Sequence, residues 1–122
     1  MKPGAIELVW IVVSDLSKSV DYYTNVVGLK LLEYRPEHNW AELQSPSGGA
    51  RLGLAQENKD FGMHAGKNAT IAITVDDIDK AREALIKKGA TIVGHVMEVP
   101  GQVKLQLLTD PCGNHLQIVE KL

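Results

Sequence analysis

Two similar nine-residue segments, one in each half of the chain, decide its fold. They read Leu8-Val9-Trp10-Ile11-Val12-Val13-Ser14-Asp15-Leu16 in the first half and Thr70-Ile71-Ala72-Ile73-Thr74-Val75-Asp76-Asp77-Ile78 in the second. The two copies lie 70 − 8 = 62 positions apart. Each begins with β-branched residues, which favour a strand. Each then offers side chains (Ser14 or Asp15, Asp76 or Asp77) that can accept hydrogen bonds from the first N–H groups of a helix. The repeat predicts one supersecondary unit built twice.

A second repeated segment lies near the end of each half. Pro46-Ser47-Gly48-Gly49 precedes Leu52-Gly53-Leu54, and Pro111-Cys112-Gly113-Asn114 precedes Leu116-Gln117-Ile118. These strand residues are 116 − 52 = 64 positions apart, so the two halves differ by only a couple of loop residues.

The periodicity between these segments predicts the same element order, βαβββ, in both halves. The helices are expected at about Leu16 to Val26 and Ile78 to Lys88, ended by Gly28 and Gly89. Their inward residues are expected to be Leu16, Val20, Tyr23 and Val27, and Ile78, Ala81, Leu85 and Ile86. The later strands are expected at Lys30–Arg35, Asn39–Ser45, Arg51–Gln56, Thr91–Val99, Val103–Thr109 and His115–Glu120. The prediction is an α+β fold in one domain, 1–122, with modules at about 5–58 and 68–122.

Alternate side chains of a strand point to opposite faces of a sheet. One face is aliphatic and is expected to pack on the helices: Val9, Ile11, Val13, Leu52, Leu54, Ile71, Ile73, Val75, Leu116 and Ile118. The opposite face mixes polar, aromatic and small residues: Leu8, Trp10, Val12, Arg51, Gly53, Ala55, Thr70, Ala72, Thr74, His115, Gln117 and Val119. We call it the mixed face of each sheet. Trp10 favours a cup there, because a large aromatic ring is poorly placed on a freely solvated surface.

Composition excludes several function classes. The 122 residues include 13 Lys plus Arg and 15 Asp plus Glu, so the net charge of −2 gives no support for nucleic-acid binding. The single cysteine, Cys112, rules out an intramolecular disulfide and favours a reducing compartment. The apolar run from Ile6 to Val13 is too short to span a bilayer and lacks a signal-peptide cleavage site. A cytoplasmic domain that does not bind membranes is expected.

The repeated βαβββ order, the segment from Val13 to Leu29 with Tyr22-Tyr23 and Gly28, and the closing Asp110-Pro111-Cys112-Gly113-Asn114 resemble the vicinal oxygen chelate superfamily. This group includes glyoxalase I, bleomycin-resistance proteins and extradiol dioxygenases. The resemblance covers about Ile6 to Leu122. It implies a half-barrel cup built from two modules, often from two chains, with the helices outside and the ligand on the concave face.

The resemblance also implies a divalent metal in the cup, but its ligand positions fall on unsuitable residues. The opening-strand ligands fall on Leu8 and Thr70, and the closing-strand carboxylates fall on Gly53 and Gln117. Leucine and glycine have no side-chain donor, and the other two are weak ligands. A one-residue slip would make Glu7 a ligand, but it would turn the aliphatic set into the cup. We therefore expect no metal cofactor.

The candidate ligand-binding residues lie on the mixed face: Trp10, Trp40, Glu42, Arg51, Thr70, Thr74, His115 and Gln117. The tryptophans suit the walls of a pocket for an organic molecule, or else only fill the half-barrel. Arg51 could clamp an anion or lie in water at the strand edge. Glu42 is the starting point for any general base, and His115 is either an acid/base group beside Gln117 or a half-exposed turn residue. No catalytic residue is assigned, and His38, His64 and His95 are expected at the surface or rim.

Three functions remain open. The first is a metal-free protein that binds or sequesters a small organic ligand. The second is a metal-dependent lyase, isomerase or dioxygenase that uses Glu42, His115 and Gln117. The third is a partner-binding module without a small ligand. The open sheets also predict a symmetric homodimer with two cups lined by Trp10, Thr70, Thr74 and Gln117. The segment from Glu57 to Lys67 is a linker or a lid.

Overall fold

The computed structural model describes residues 1–122 and divides into two compact units, Met1–Ala65 and Gly66–Leu122. Each contains one βαβββ module, which confirms the predicted α+β fold. Neither helix has the length and apolar character needed to pass through a bilayer. That the whole chain acts as one domain stays a prediction.

The first unit has one four-stranded sheet. Its elements are β1 (Leu8–Val13), α1 (Leu16–Asp21), a π-helical segment (Tyr22–Val26), β2 (Lys30–Arg35), a 3-10 turn (Pro36–His38), β3 (Trp40–Ser45), β4 (Gly48–Gln56) and a second 3-10 turn (Lys59–Phe61). The strand order is β1-β4-β3-β2, with β1 parallel to β4 and the other neighbours antiparallel. Strand β4 begins earlier than predicted, because Gly48 already pairs with Ser45.

The second unit repeats this arrangement. Its elements are β5 (Thr70–Thr74), α2 (Ile78–Lys87), β6 (Thr91–Val99), β7 (Val103–Thr109) and β8 (His115–Lys121). The strand order β5-β8-β7-β6 matches that of the first unit, and β5 is again parallel to β8. The predicted repeat therefore extends to the sheet topology.

Both helices begin with the same pair of caps. Asp15 Oδ1 accepts a hydrogen bond of 3.1 Å from the Lys18 N–H, and Asp77 caps α2 in the same way. The first helical N–H groups donate to the last strand of their own unit: Leu16 to Gln56 Oε1 and Ile78 to Glu120 Oε1, each at 2.8 Å. These bonds fix the helices against the sheets, since the first N–H groups of a helix lack partners within it.

The first helix widens at its end, which changes the side chains that it buries. The Val27 N–H donates to the Tyr22 carbonyl, five residues back, so the last turn is π-helical. Tyr22 and Tyr23 are both buried and meet edge to face. The expectation that Val20 and Val27 form the inward set was wrong in part: both are only half-buried. Tyr22 lies three residues after the buried Ser19, so ordinary helical spacing turns it inward, whereas the extra residue of the π turn displaces Val27 from that spacing.

The aliphatic faces form the two cores. In the first unit the buried residues include Ile11, Val13, Leu16, Tyr23, Ala41, Leu43, Leu52 and Leu54. In the second they include Ile78, Leu108, Leu116 and Ile118. Two expected core residues are instead exposed: Val9 is 43% exposed and Ile86 is 44% exposed. Val9 lies near the start of β1, and Ile86 lies in the last turn of α2.

A fully buried glutamine closes an irregularity in the second sheet. The register of β6 against β7 shifts between Val93 and Met97, and Gly94 there has φ +71°. Gln106 Nε2 donates to the Val93 carbonyl at 3.0 Å, and Gln106 Oε1 accepts from Arg82 Nε at 3.0 Å. The side chain thus supplies partners that the distorted ladder does not.

Candidate ligand-binding site

The predicted tryptophans of the first unit meet on its mixed face. Trp10 lies on β1 and Trp40 on β3, with strand β4 between them. Their ring centroids are 6.2 Å apart and the ring planes meet at 67°, an edge-to-face arrangement. Aromatic rings prefer this geometry to face-to-face stacking. Trp10 is 49% exposed and Trp40 is half-buried, so the pair forms an aromatic corner with accessible faces.

Gly53 on β4 makes this meeting possible. It pairs with Trp10 on one side and Glu42 on the other. A Cβ at position 53 would lie 2.7 Å from Trp40 Cζ2, still closer to Trp40 Cη2, and 2.8 Å from Trp10 Cβ. Gly53 is not among the glycines with positive φ, so its backbone conformation does not require glycine. The close approach of the indole does.

Glu42 and Arg51 extend the aromatic corner into a polar chain. The Trp40 indole N–H donates to Glu42 Oε2 at 2.8 Å, and Arg51 Nη1 lies 3.2 Å from Glu42 Oε1. Both carboxylate oxygens therefore have a partner, and the Glu42 side chain is only 14% exposed. This geometry suits holding Trp40 better than abstracting a proton.

A cavity opens beside the two indoles, and we call it the tryptophan cavity. It has a volume of about 260 Å³. Its lining residues are Trp10, His38, Asn39, Trp40, Ala55, Gln56, Asn58 and Met63. Of the predicted site residues, Trp10 and Trp40 line it. Glu42 and Arg51 do not line it, but Glu42 contacts Trp40 and Arg51 contacts Glu42.

Two turns shape the rim of the tryptophan cavity. The 3-10 turn Pro36–His38 ends on Asn39, which has φ +56°, a left-handed conformation that asparagine tolerates. On the other side, Asn58 and Met63 exchange two backbone hydrogen bonds of 2.9 Å. The predicted linker from Glu57 to Lys67 thus begins as a closed loop whose base lines the cavity.

The polar groups of the tryptophan cavity are uncharged amides and an imidazole. The Gln56 amide is already engaged, because it accepts from the Leu16 N–H and donates to the Ser14 carbonyl. His38, Asn39 and Asn58 also line the cavity; His38 and Asn39 are exposed and Asn58 is half-buried. None of the lining residues is Asp, Glu, Lys or Arg.

The predicted site residues of the second unit lie on a face without Trp, Tyr or Phe. Thr70 pairs with His115, Ala72 with Gln117, and Thr74 with Val119. The threonines are exposed, and His115 and Gln117 are half-buried. By register, the places of Trp10 and Trp40 are taken there by Ala72 and Leu105.

The comparisons with known proteins decide the family. A model of the Glyoxalase/Bleomycin resistance protein/Dioxygenase superfamily matches residues 5–118. The chain belongs to this superfamily. The resemblance seen in the sequence is thereby confirmed.

One curated protein and two solved structures show what this chain is similar to. Lactoylglutathione lyase GLX1 of Arabidopsis thaliana is 27% identical over 128 aligned residues. That match takes in 89% of this chain but only 41% of the plant protein, so the chain spans less than half of that relative. TnmS3, an antibiotic-binding protein from Streptomyces, has a TM-score of 0.82 at 22% identity, with 100% of this chain and 99% of that chain covered. A superfamily member from Sphaerobacter thermophilus has a TM-score of 0.81 at 23% identity, with 98% of each chain covered.

The superfamily's metal does not fit the residues at its expected positions. Leu8 and Gly53 lack donor atoms, and Thr70 and Gln117 supply only neutral oxygens. The space that a side chain at position 53 would need is taken by the Trp40 ring. Among residues 1–122, no group of three or more His, Cys, Asp or Glu is placed to hold a metal ion. The absence of a metal centre stays a prediction that rests on this donor chemistry.

Sequence reasoning missed five lining residues: Asn39, Ala55, Gln56, Asn58 and Met63. Strand alternation did place Ala55 on the mixed face, but it was not included among the candidate ligand-binding residues. Asn58 and Met63 could not have been found, since they belong to a loop whose path depends on backbone hydrogen bonds rather than on periodicity.

Proposed function

We propose that this superfamily member binds a small, flat, uncharged aromatic molecule in the tryptophan cavity. The observation that carries the proposal is the accessible corner formed by the Trp10 and Trp40 rings beside the cavity. Aromatic walls with a few uncharged polar groups are typical of sites for organic ligands. His38, Asn39 and Asn58 would orient such a ligand through hydrogen bonds.

The lining of the tryptophan cavity contains no Asp, Glu, Lys or Arg, which supports a neutral ligand. A carboxylate or phosphate ligand is usually met by Arg or Lys, because burying a charge without a partner is costly. Arg51 is paired with Glu42 and does not line the tryptophan cavity, and none of the lining residues is Lys or Arg. The cavity therefore favours neutral ligands over anionic ones such as glutathione conjugates.

A matched set of naphthalene derivatives tests this proposal. We expect 2-naphthol to bind saturably in isothermal titration calorimetry, and 2-naphthoate and decahydro-2-naphthol to bind at least about tenfold more weakly. Trp40→Leu should weaken 2-naphthol binding at least about tenfold, because it removes an aromatic wall. Tyr34→Leu removes another exposed aromatic ring from the same sheet and serves as the control. Equal binding of all three compounds, or equal effects of the two substitutions, would refute the proposal.

A second candidate function is a metal-dependent lyase, and the similarity to lactoylglutathione lyase GLX1 favours it. Its residues would be Glu42, His115 and Gln117, as the sequence suggested. Turnover of methylglyoxal with glutathione in the presence of Ni²⁺, Co²⁺ or Zn²⁺ would support it. If Glu42→Ala and His115→Ala left that turnover unchanged, the assignment of these residues would be wrong.

We also propose that the chain forms a homodimer. Several apolar side chains on the strands are exposed, among them Trp10, Leu32, Val93 and Met97. Burial of such side chains against a second copy would stabilise both chains. Light scattering at micromolar concentration should give a mass near twice 13.3 kDa. A mass of one chain that does not change with concentration would contradict the dimer.

A cytoplasmic location completes the proposal. It is supported by the single cysteine, Cys112, which leaves the chain without an internal disulfide. Fractionation of cells that express the tagged full-length protein tests it, and recovery in a secreted or membrane fraction would contradict it.

A further inference from the structure

Gly53 lies at the position where the superfamily resemblance places a metal-binding carboxylate. The space beside it, however, is filled by an aromatic ring. The Trp40 ring extends from β3 over β4 and occupies the space where a Cβ of residue 53 would lie. Because Gly53 does not have positive φ, the structure requires glycine here for close packing and not for its backbone conformation: the Trp40 ring and Trp10 Cβ both approach the position of the missing Cβ. A side chain at position 53 and the observed place of the Trp40 ring exclude each other.

Glu42 holds the other end of the same ring. Its Oε2 accepts the Trp40 indole N–H at 2.8 Å, and its Oε1 is turned toward Arg51 Nη1 at 3.2 Å. A hydrogen bond to a carboxylate is shorter and stronger than one to a neutral acceptor. The Trp40 ring is therefore held by two contacts: it packs against Gly53, and its N–H donates to the carboxylate of Glu42.

We infer that Gly53 and Glu42 are positioning residues that seat the Trp40 indole on β4 and thereby set the shape of the tryptophan cavity. The indole takes the volume that a metal-binding side chain on β4 would need. Any side chain at position 53 must push the ring away from the sheet, and the ring lies in the cavity wall. The ligand part of this inference rests on the proposed function, but the seating of Trp40 can be measured without a ligand.

A double-mutant cycle tests the contact between positions 53 and 40. We expect Gly53→Ala to lower the Tm by about 5 to 15 °C, because the added Cβ overpacks against the ring. In a Trp40→Leu background the same substitution should cost less than half as much. Part of the cost should remain, because Trp10 Cβ also lies 2.8 Å from the added atom. Gly4→Ala is the control, since nothing lies within 4 Å of its Cβ position. Equal costs in both backgrounds would overturn the role of Gly53.

Indole N–H signals test the role of Glu42. The chain has two tryptophans, so a ¹⁵N-labelled sample gives two indole resonances, which Trp10→Phe assigns. Glu42→Leu should move the Trp40 resonance upfield and speed its exchange with D₂O at least about tenfold, because the bonded proton loses its acceptor. Glu42→Gln retains an amide oxygen as acceptor and should restore most of the protection. If the Trp40 signal is the same in all three proteins, Glu42 does not position the ring.

Ligand binding then separates the failure of this inference from the failure of the proposed function. We expect Gly53→Ala and Glu42→Leu to weaken 2-naphthol binding at least about fivefold while Gly4→Ala leaves it unchanged. If 2-naphthol binds the wild type but these variants bind equally well, the inference is wrong and the proposed function stands. If the wild type binds no naphthol, the proposed function fails, and the Tm cycle and the indole signals still decide whether Gly53 and Glu42 seat Trp40.

Discussion

The two units share one architecture but differ on their mixed faces. Both have the same strand order, and both tie the first turn of the helix to the last strand, through Gln56 in one unit and Glu120 in the other. On the mixed face, however, Trp40 and Gly53 are replaced by Leu105 and Gln117 in the second unit. The shared features hold the helix on the sheet, whereas the differing ones form the candidate site: Trp40 lines the tryptophan cavity and Gly53 leaves room for its ring. The helix-facing side of the repeated module is therefore built alike in both units, whereas the mixed face differs between them.

The cores differ at one position as well. By register, the place of Ala41 in the first unit is taken by Gln106 in the second, and both are fully buried. Alanine needs no polar partner, whereas the glutamine bonds to the Val93 carbonyl and to Arg82. The second unit thus depends on a buried polar network that the first unit lacks at this position.

The largest expected effect separates the two units at this core position. Gln106→Leu should lower the free energy of unfolding by about 3 kcal/mol, because it leaves the Val93 carbonyl and Arg82 without their partner. Urea denaturation followed by circular dichroism measures the change. Gln102→Leu, at an exposed position, is the control and should change stability by no more than about 0.5 kcal/mol. Similar effects of the two substitutions would show that the network has little influence.

The bonds from the last strands to the helices should have an intermediate effect. Glu120→Leu and Gln56→Leu should each lower the free energy of unfolding by about 1 to 2 kcal/mol, since each leaves a helical N–H without its acceptor. Glu120→Gln should cost less than half of the Glu120→Leu value, because the amide oxygen can still accept the Ile78 N–H. If Glu120→Gln is as damaging as Glu120→Leu, the charge of Glu120 matters more than its hydrogen bond.

The N-terminal caps should have the smallest effect and differ between the units. Asp15 Oδ1 accepts one helical N–H, whereas Asp77 Oδ1 accepts two, from Asp79 and Lys80. We expect Asp15→Ala to cost about 0.5 to 1 kcal/mol and Asp77→Ala somewhat more, about 1 to 1.5 kcal/mol. The same urea titrations measure both, and a larger loss for Asp15→Ala would reverse the expected order.

The fold could be predicted from the sequence because two physical signals repeat. The β-branched segments at Leu8 and Thr70, each followed by a carboxylate cap, locate a strand and a helix in both halves. The π-helical turn at Tyr22 gave no such signal, since a shift of one residue in the hydrogen-bond pattern depends on packing. The exposure of Val9 could not be predicted either. Periodicity shows to which face of the sheet a side chain points, but not whether another element covers that side chain.

The candidate site could be predicted only in part. Strand alternation placed Trp10, Trp40, Glu42 and Arg51 on one face, and the structure brings these four into contact along a single chain of interactions. The significance of Gly53 could not be read from the sequence. A glycine has no side chain that could contribute to a periodic pattern, and the Trp40 ring that fills the space beside Gly53 comes from a different strand.

Titration of the ¹⁵N-labelled protein with 2-naphthol tests the central claim most directly, that the mixed face of the first unit holds an aromatic ligand. We expect saturable shifts of both indole N–H resonances, of Trp10 and Trp40, and of the amide resonances of Asn39 and Asn58 at the rim of the tryptophan cavity. The amides of Ala72 and Gln117, at the matching places of the second unit, should shift much less, because that face has no Trp, Tyr or Phe. Equal shifts on both faces, or no saturable shift of either indole, would contradict the account.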